Sequence, residues 1–354
     1  MTSSRTCHVY VQLPDSLEVV TCGRYEREVL PNGGAVGRFI YGRRYRSRPD
    51  AVPLDPFGLP LTDEVIETAR LQGVHGALRD AAPDAWGRLV IDRALGRGDL
   101  DELDYLLHGP DDRAGALSFG LGTAPPPPAR HFNRVVQLAE LREAARRIEN
   151  GESPVAFPDP LRSLVSPGTS LGGARPKAVI EDHDGLWVAK FPAREDRWNN
   201  AAVEAALLAL ARRCGIQTPP LRLEALGDES VLLAKRFDRE RLESGYRRHR
   251  VLSGLTVLGA EEDVTDRGRW SYLLLADELQ RRSERADEDK VELFRRMVFN
   301  ALVSNGDDHP RNHALVARGT SWRLAPAYDL TPQPSTSQER NLALVAGLHG
   351  RRAT

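Results

Sequence analysis

Hydrophobic and polar positions change their period several times along this chain, and the changes mark out its elements. "HVYVQL", "LEVVTC" and "GRFIY" alternate or cluster β-branched and aromatic residues between glycines, as short strands do. Two helices are predicted next. "LTDEVIETARLQG" is expected to begin near Thr62. "PDAWGRLVIDRAL" has Pro83 and Asp84 at its start, where a missing N–H costs nothing and a carboxylate can cap. "RVVQLAELREAARRIENG" carries apolar residues at helical spacing and stops at Asn150-Gly151. The runs "KAVIE" and "LWVAKF" flank "DHDG", a hairpin turn in which Gly185 can take positive φ. "NNAAVEAALLALARRCG" reads as a helix capped by asparagine and ended by Gly215, and "SVLLAKRF" as a strand. The remainder to about residue 303 is expected to be mainly helical. In its last helix, "KVELFRRMVFNALV", Val291, Phe294, Val298 and Leu302 share one stripe, which predicts a face anchored in a core.

A chain of 354 residues exceeds what one core usually supports, so more than one domain is expected. "APPPPA" at 124–129 is a stiff extended linker and the best boundary. It sets off a mixed α/β unit over 1–123, with the linker taken as 124–130. A net charge of -1, from 49 basic and 50 acidic residues, gives no reason to expect a nucleic-acid or membrane partner. The basic runs "YGRRYRSR" and "GYRRHR" read as solvated faces. Cys7, Cys22 and Cys214 form no CxxC pair, which argues against a disulfide framework or zinc and for a reducing cytoplasm. The opening shows no basic stretch followed by an apolar run, and nowhere do about 18 uncharged apolar residues follow one another. A cytoplasmic protein is expected.

One segment is too polar for its apolar flanks. "VSNGDDHPRNHALV", 303–316, places Asp307, His309 and Asn312 at the end of a helix. "HALVA" and "WRLAP" then form a hairpin around "RGTS", which returns the chain and brings Tyr328-Asp329 near Asn312. Magnesium takes oxygen ligands, commonly one or two from the protein, and Asn312 and Asp329 can supply them. Asp307, five positions before Asn312, matches the spacing of catalytic Asp to metal-binding Asn in kinase catalytic loops. Its role is to orient an attacking hydroxyl and accept its proton.

Phosphates must also be held from the other side. "SLGGARPK" supplies Gly172 and Gly173, which let backbone N–H groups approach phosphate oxygens. Lys190 ends a strand, and Glu204 on the following helix can pair with it. Singly, each feature is more often a turn, a solvated lysine or a polar loop. In this order they point to a kinase-like phosphotransferase. A metal-dependent phosphoesterase needs more Asp, Asn and His ligands than "RNH" and "AYD" provide. A small-molecule phosphotransferase and an inactive nucleotide-binding scaffold that neutralises a partner remain as alternatives.

"GTSLGGARPKA", "AKRFDR", "NGDDHPRNHAL" and "LAPAYDLTP" resemble the signatures of HipA-family serine/threonine kinases, toxins of type II toxin–antitoxin systems. "LRDAAPDAWGRLVIDRAL" is similar to the end of that family's N-terminal subdomain. The resemblance implies an α+β, two-lobed protein-kinase-like fold with 1–123 as N-terminal subdomain, 131–240 as the rest of the N-lobe and 241–354 as a helical C-lobe. It implies further C-lobe helices beyond Thr354, so this C-lobe is expected to be short. Asp307 is then the catalytic base, with Asn312 and Asp329 on Mg2+. Gly172, Gly173, Ala174, Arg175, Pro176 and Lys177 cover the phosphates of ATP, and Lys190 contacts them. Lys235, Arg236 and Phe237 form the hinge around adenine, with His309 and Tyr328 beside the nucleotide. Ser170 matches the glycine-loop serine that the family phosphorylates on itself. Implied partners are a helix-turn-helix antitoxin of the HipB type, operator DNA mainly through it, and a protein substrate in translation such as an aminoacyl-tRNA synthetase.

Overall fold

The alternation in the first forty residues becomes an antiparallel sheet in the computed structural model, which describes residues 3–127, 132–158, 173–333, 339–348 and 350–352. β1 (Ser3–Gln12), β2 (Val19–Val29), β3 (Ala35–Tyr41), β4 (Ile66–Thr68) and β5 (Leu117–Gly120) lie in the order β4-β3-β2-β1-β5. The helix expected from Thr62 does not form. Ile66 and Thr68 instead pair with Phe39 and Gly37 at the sheet edge, and a tight turn follows with Leu71 and Gln72 at positive φ. Val65, Ile66 and Thr68 are β-branched and suit that edge, so pairing overrides the helical spacing. Gly37 permits the crossing: a Cβ there would lie 1.7 Å from the Gly73 carbonyl oxygen.

Four helices complete this unit: α1 (Arg43–Arg46), α2 (Gly76–Asp80), α3 (Ala85–Leu95) and α4 (Glu102–His108). α3 starts as its sequence predicts, with the Gly87 N–H donated to the Asp84 carboxylate at 2.8 Å.

The second sheet holds β6 (Asn133–Arg134), β7 (Lys177–Asp182), β8 (Gly185–Lys190), β9 (Leu221–Leu226) and β10 (Glu229–Lys235), ordered β6-β7-β8-β10-β9. The predicted hairpin is present, with Asp182 opposite Gly185 and Gly185 at φ 127°. α5 (Leu138–Glu149) and α6 (Asn200–Arg213) form as predicted; Asn199 caps α6, accepting from Ala202 at 3.0 Å.

Beyond Lys235 the chain is less helical than expected. β11 (Arg239–Leu242) and β12 (Gly245–Arg248) make a ribbon; β13 (Arg250–Ser253) joins a sheet with β14 (Ala314–Arg318) and β15 (Ser321–Leu324). Nor is "GYRRHR" a solvated face. His249 and Arg250 are buried, and Arg248 donates to the carbonyls of Gly115 and Leu117 at 3.1 and 2.8 Å. Arginines enter the interior here because backbone acceptors meet their donors.

α7 (Gly254–Val257), α8 (Tyr272–Arg282) and α9 (Ala286–Leu302) follow. The stripe expected in the core of α9 is its exposed face: Phe294 is 60% and Leu302 68% accessible, with Val291 and Val298 also exposed. The buried face carries Asp289, Glu292, Leu293, Arg296, Phe299 and Asn300. Its charges are partnered. Arg296 pairs with Glu292 at 2.8 Å and donates to the Ala325 carbonyl, while Asp289 pairs with Arg323 at 2.8 Å.

The largest core joins the first sheet (Val9, Tyr25, Phe39) through Leu78 to Leu255, Leu275, Leu315 and Leu344 of the C-terminal half. α3 packs the other way, with Trp86 and Val90 against Ala144 and Ile148 of α5. The N-terminal unit therefore touches both lobes. Among the described residues, no helix is long and apolar enough to cross a membrane.

Candidate active site

β8 ends on Lys190, and one turn into α6 stands Glu204. The ammonium lies 2.6 Å from the Glu204 carboxylate and is bonded to Asp329 as well. Burial pulls Lys190 down, but Asp329 and Glu204 overcome it and hold the ammonium above its ordinary value. Burial likewise raises Asp329, and Lys190 reverses this, so its carboxyl titrates below the usual range. Glu204 is pushed up by burial. Two carboxylates share one ammonium, an arrangement that leaves room for further positive charge. Asp329 has φ 54°, uncommon outside glycine.

The hairpin β14–β15 returns the chain as its sequence predicts: the Tyr328 hydroxyl donates to the Arg311 carbonyl, next to Asn312, at 2.7 Å. The Asn312 amide N–H is donated to the Asp307 carbonyl at 2.8 Å. Of the two adjacent aspartates, Asp307 is exposed and Asp308 is buried. Asp308 accepts from the Tyr272 hydroxyl at 2.5 Å and from Ala343 N–H at 2.7 Å. Asn300 donates to Tyr272 and Asn305 to Asn300, both at 3.0 Å, so the loop is pinned to α8 and α9. Burial pushes Asp308 up to about 6. Nothing in "GDDH" says which aspartate faces solvent; Tyr272 decides it.

Phe237 and Tyr328 stack at 5.8 Å with 20° between planes, beside a narrow apolar slot formed by Val188, Leu208, Pro219 and Ala234. Lys235 extends over the Trp187 ring at 5.9 Å. The Arg236 guanidinium points elsewhere: it pairs with Asp238 at 2.8 Å and donates to the Asp112 carbonyl at 2.6 Å. Its side chain ties this segment to the N-terminal unit.

Gly172 and Ser170 lie outside the described residues. Gly173, at φ 88°, and Ala174 line a cleft of about 290 Å³ with Asp84, His309 and Tyr328. Arg175 pairs with Asp196 at 2.6 Å, and the Pro176 carbonyl accepts from Phe191. Lys177 is buried, 2.6 Å from Asp84 and 2.8 Å from the Gly173 carbonyl. Four residues earlier, Asp80 accepts from Ser253 N–H and Oγ at 2.7 and 2.6 Å. "DAAPD", 80–84, thus grips the C-terminal half with one carboxylate and the glycine loop with the other. Sequence reasoning found Asp84 as a helix cap and missed both tertiary roles. It also missed Arg79, Arg88 and Arg311 on the cleft wall, which carry no local signal.

The donor set suits magnesium and nucleotide phosphates. With its amide nitrogen engaged, Asn312 offers an oxygen, and Asp329 has a second carboxylate oxygen; both are hard ligands. His309 Nδ1 is buried without a hydrogen-bond partner among the described residues, as a group awaiting a ligand would be.

Comparison with known proteins shows the family and the fold. The family model for the HipA-like C-terminal domain matches residues 169–354. Y4mE of Sinorhizobium fredii, provisionally named a kinase, is 26% identical over 335 residues, covering 84% of this chain and 72% of that protein. Y4dM of the same organism, named likewise, is 30% identical over 237 residues, covering 57% of this chain and 56% of its own length. A chain of the Shewanella oneidensis complex of HipA, HipB and operator DNA has the same fold. The match covers 95% of this chain and 79% of that one, at a TM-score of 0.67 and 17% identity. The α+β class expected from the sequence is borne out. With the family model matching more than half of its residues, the chain belongs to the family of HipA-like proteins.

Proposed function

We propose that this chain is an ATP-dependent serine/threonine protein kinase and the toxin of a HipBA-type toxin–antitoxin pair. The observation that carries the reading is Lys190, fixed between Glu204 and Asp329 at the apolar slot, which shares Phe237 and Tyr328 with the cleft lined by Gly173 and Ala174. Asp307 stands exposed on the adjoining loop. On this reading Asp307 orients the acceptor hydroxyl and takes its proton, while Lys190 holds phosphate oxygens. Asn312 and Asp329 hold magnesium, which supplies charge neutralisation to the phosphates. Phe237 and Tyr328 border the slot for the base. The N-terminal unit, 1–123, braces both lobes. A HipB-type antitoxin, operator DNA reached through it, a translation substrate such as an aminoacyl-tRNA synthetase, self-phosphorylation at Ser170 and a cytoplasmic location complete the proposal. The resemblance supports them, and the Shewanella oneidensis complex of HipA, HipB and operator DNA supports the antitoxin and operator alone.

Incubation with radiolabelled ATP and magnesium tests the chemistry. Asp307→Asn is expected to keep nucleotide binding and lose about a hundred- to ten-thousand-fold in transfer. An equal rate in the variant excludes Asp307 as the base. Mass spectrometry of the wild-type product reads whether Ser170 carries phosphate.

A further inference from the structure

Three guanidinium groups stand on the wall of the active-site cleft, and they are not equally occupied. Arg88 is closed off by a two-pronged pair with Glu102 at 2.6 and 2.8 Å. Arg79, from α2, makes no side-chain hydrogen bond among the described residues; its nearest carboxylates are Glu262 at 3.6 Å and Glu102 at 4.0 Å. Arg311, in the catalytic loop, is bonded to Glu262, yet its Nη2 is buried without a hydrogen-bond partner among the described residues. Asp80 lies 3.7 Å from Arg311, but its oxygens are taken by Ser253. Arg79 and Arg311 line the same cavity as Gly173, Ala174 and His309. Unspent N–H donors on two cations, inside a cleft, are what an anion requires. Glu262 shows the preference already. It is half exposed, at 49%, and reaches both arginines from the rim.

We propose that Arg79 and Arg311 form an anion subsite for a phosphate or carboxylate group, with Glu262 as a resident carboxylate that the incoming anion displaces. The source of the anion rests on the kinase reading above. It is either the terminal phosphate of the nucleotide or an acidic group on the acceptor beside its hydroxyl. Binding is a displacement: Glu262 swings to solvent, and the ligand oxygens take the Arg311 and Arg79 donors. Nothing local in the sequence reveals the subsite, because Arg79, Glu262 and Arg311 are contributed by three separate segments.

Titration with inorganic pyrophosphate in EDTA tests the subsite without nucleotide and without metal bridging to Asn312 and Asp329. Arg79→Gln is expected to weaken binding about tenfold or more, as loss of hydrogen bonds to a charged group does. Glu262→Gln removes the competitor and is expected to tighten it several-fold, an opposite sign that general loosening of the fold does not produce. Circular dichroism checks that each variant is folded; should Arg79→Gln fail to fold, Glu262→Gln decides alone. Repeating the titration without EDTA, on protein saturated with Mg-AMPPNP and with magnesium in excess of pyrophosphate, separates the sources: blocked binding assigns the subsite to the nucleotide, retained binding to the acceptor. Equal affinities within twofold in all three proteins, weaker or unchanged binding in Glu262→Gln, or no binding to the wild type at millimolar pyrophosphate would each overturn the proposal. Failure of Mg-AMPPNP to bind the wild type, with the Arg79-dependent pyrophosphate site intact, counts against the kinase reading and leaves the subsite standing.

Discussion

Lys177 and Asp84 form the most enclosed ion pair at the cleft, with side chains 1% and 7% exposed and 2.6 Å between nitrogen and oxygen. Asp84→Ser isolates the pair. Serine is a good N-cap, so the bond from Gly87 N–H survives, but the hydroxyl is too short to reach the ammonium. The Lys177 charge stays buried without its carboxylate, a change that typically costs about 3–5 kcal/mol. Unfolding entropy is about 2.1 cal/mol/K per residue, or about 0.7 kcal/mol/K for this chain, so about 4 kcal/mol corresponds to roughly 5–6 °C in Tm. Asp84→Ser/Lys177→Met removes both charges and keeps the volume. Because desolvation cancels most of a buried pair's attraction, the double variant is expected within about 1 kcal/mol of wild type. Urea titration with thermal melts reads all three proteins. A loss below about 1 kcal/mol in Asp84→Ser, or a double variant no better than the single one, refutes the reasoning that Lys177 is held here by charge.

Asp308, pushed by burial from 3.8 to about 6, binds its proton more tightly folded than unfolded. Its contribution to stability is therefore full below about pH 4 and lost as pH rises through 6, a change of about 3 kcal/mol. Asp308→Asn is expected to flatten that part of the stability–pH curve measured by urea unfolding; an unchanged slope refutes the assignment. On α9, Phe294→Ser is expected to cost under about 0.5 kcal/mol and Phe299→Ala about 3–5 kcal/mol, because only the second is buried. Reversed costs in chemical denaturation would show that the core faces the other stripe.

The sequence by itself determined what depends on neighbours a few residues apart. The 182–185 hairpin, the Asp84 and Asn199 caps and the stop at Gly215 are local chemistry, and each stands in the structure as read. The return of the chain at Tyr328-Asp329 to the 307–312 loop was legible too, because a tight hairpin brings its ends together whatever surrounds it. Burial is not local. Periodicity gave α9 an apolar stripe but not its direction, and the interior took the face with Glu292, Arg296 and Asn300 because Gln217 N–H, the Ala325 carbonyl and Tyr272, all distant in sequence, satisfy those groups. The segment after Thr62 lost its helical spacing to an open sheet edge beside β3. Tertiary structure alone chose Asp307 over Asp308 for solvent, since Tyr272, 36 positions away, captures the second. It also set Arg79, Glu262 and Arg311 on one cleft. Free energies of that kind arise between surfaces that meet only after folding, when desolvation makes each unpaired donor or charge costly enough to decide where a side chain goes.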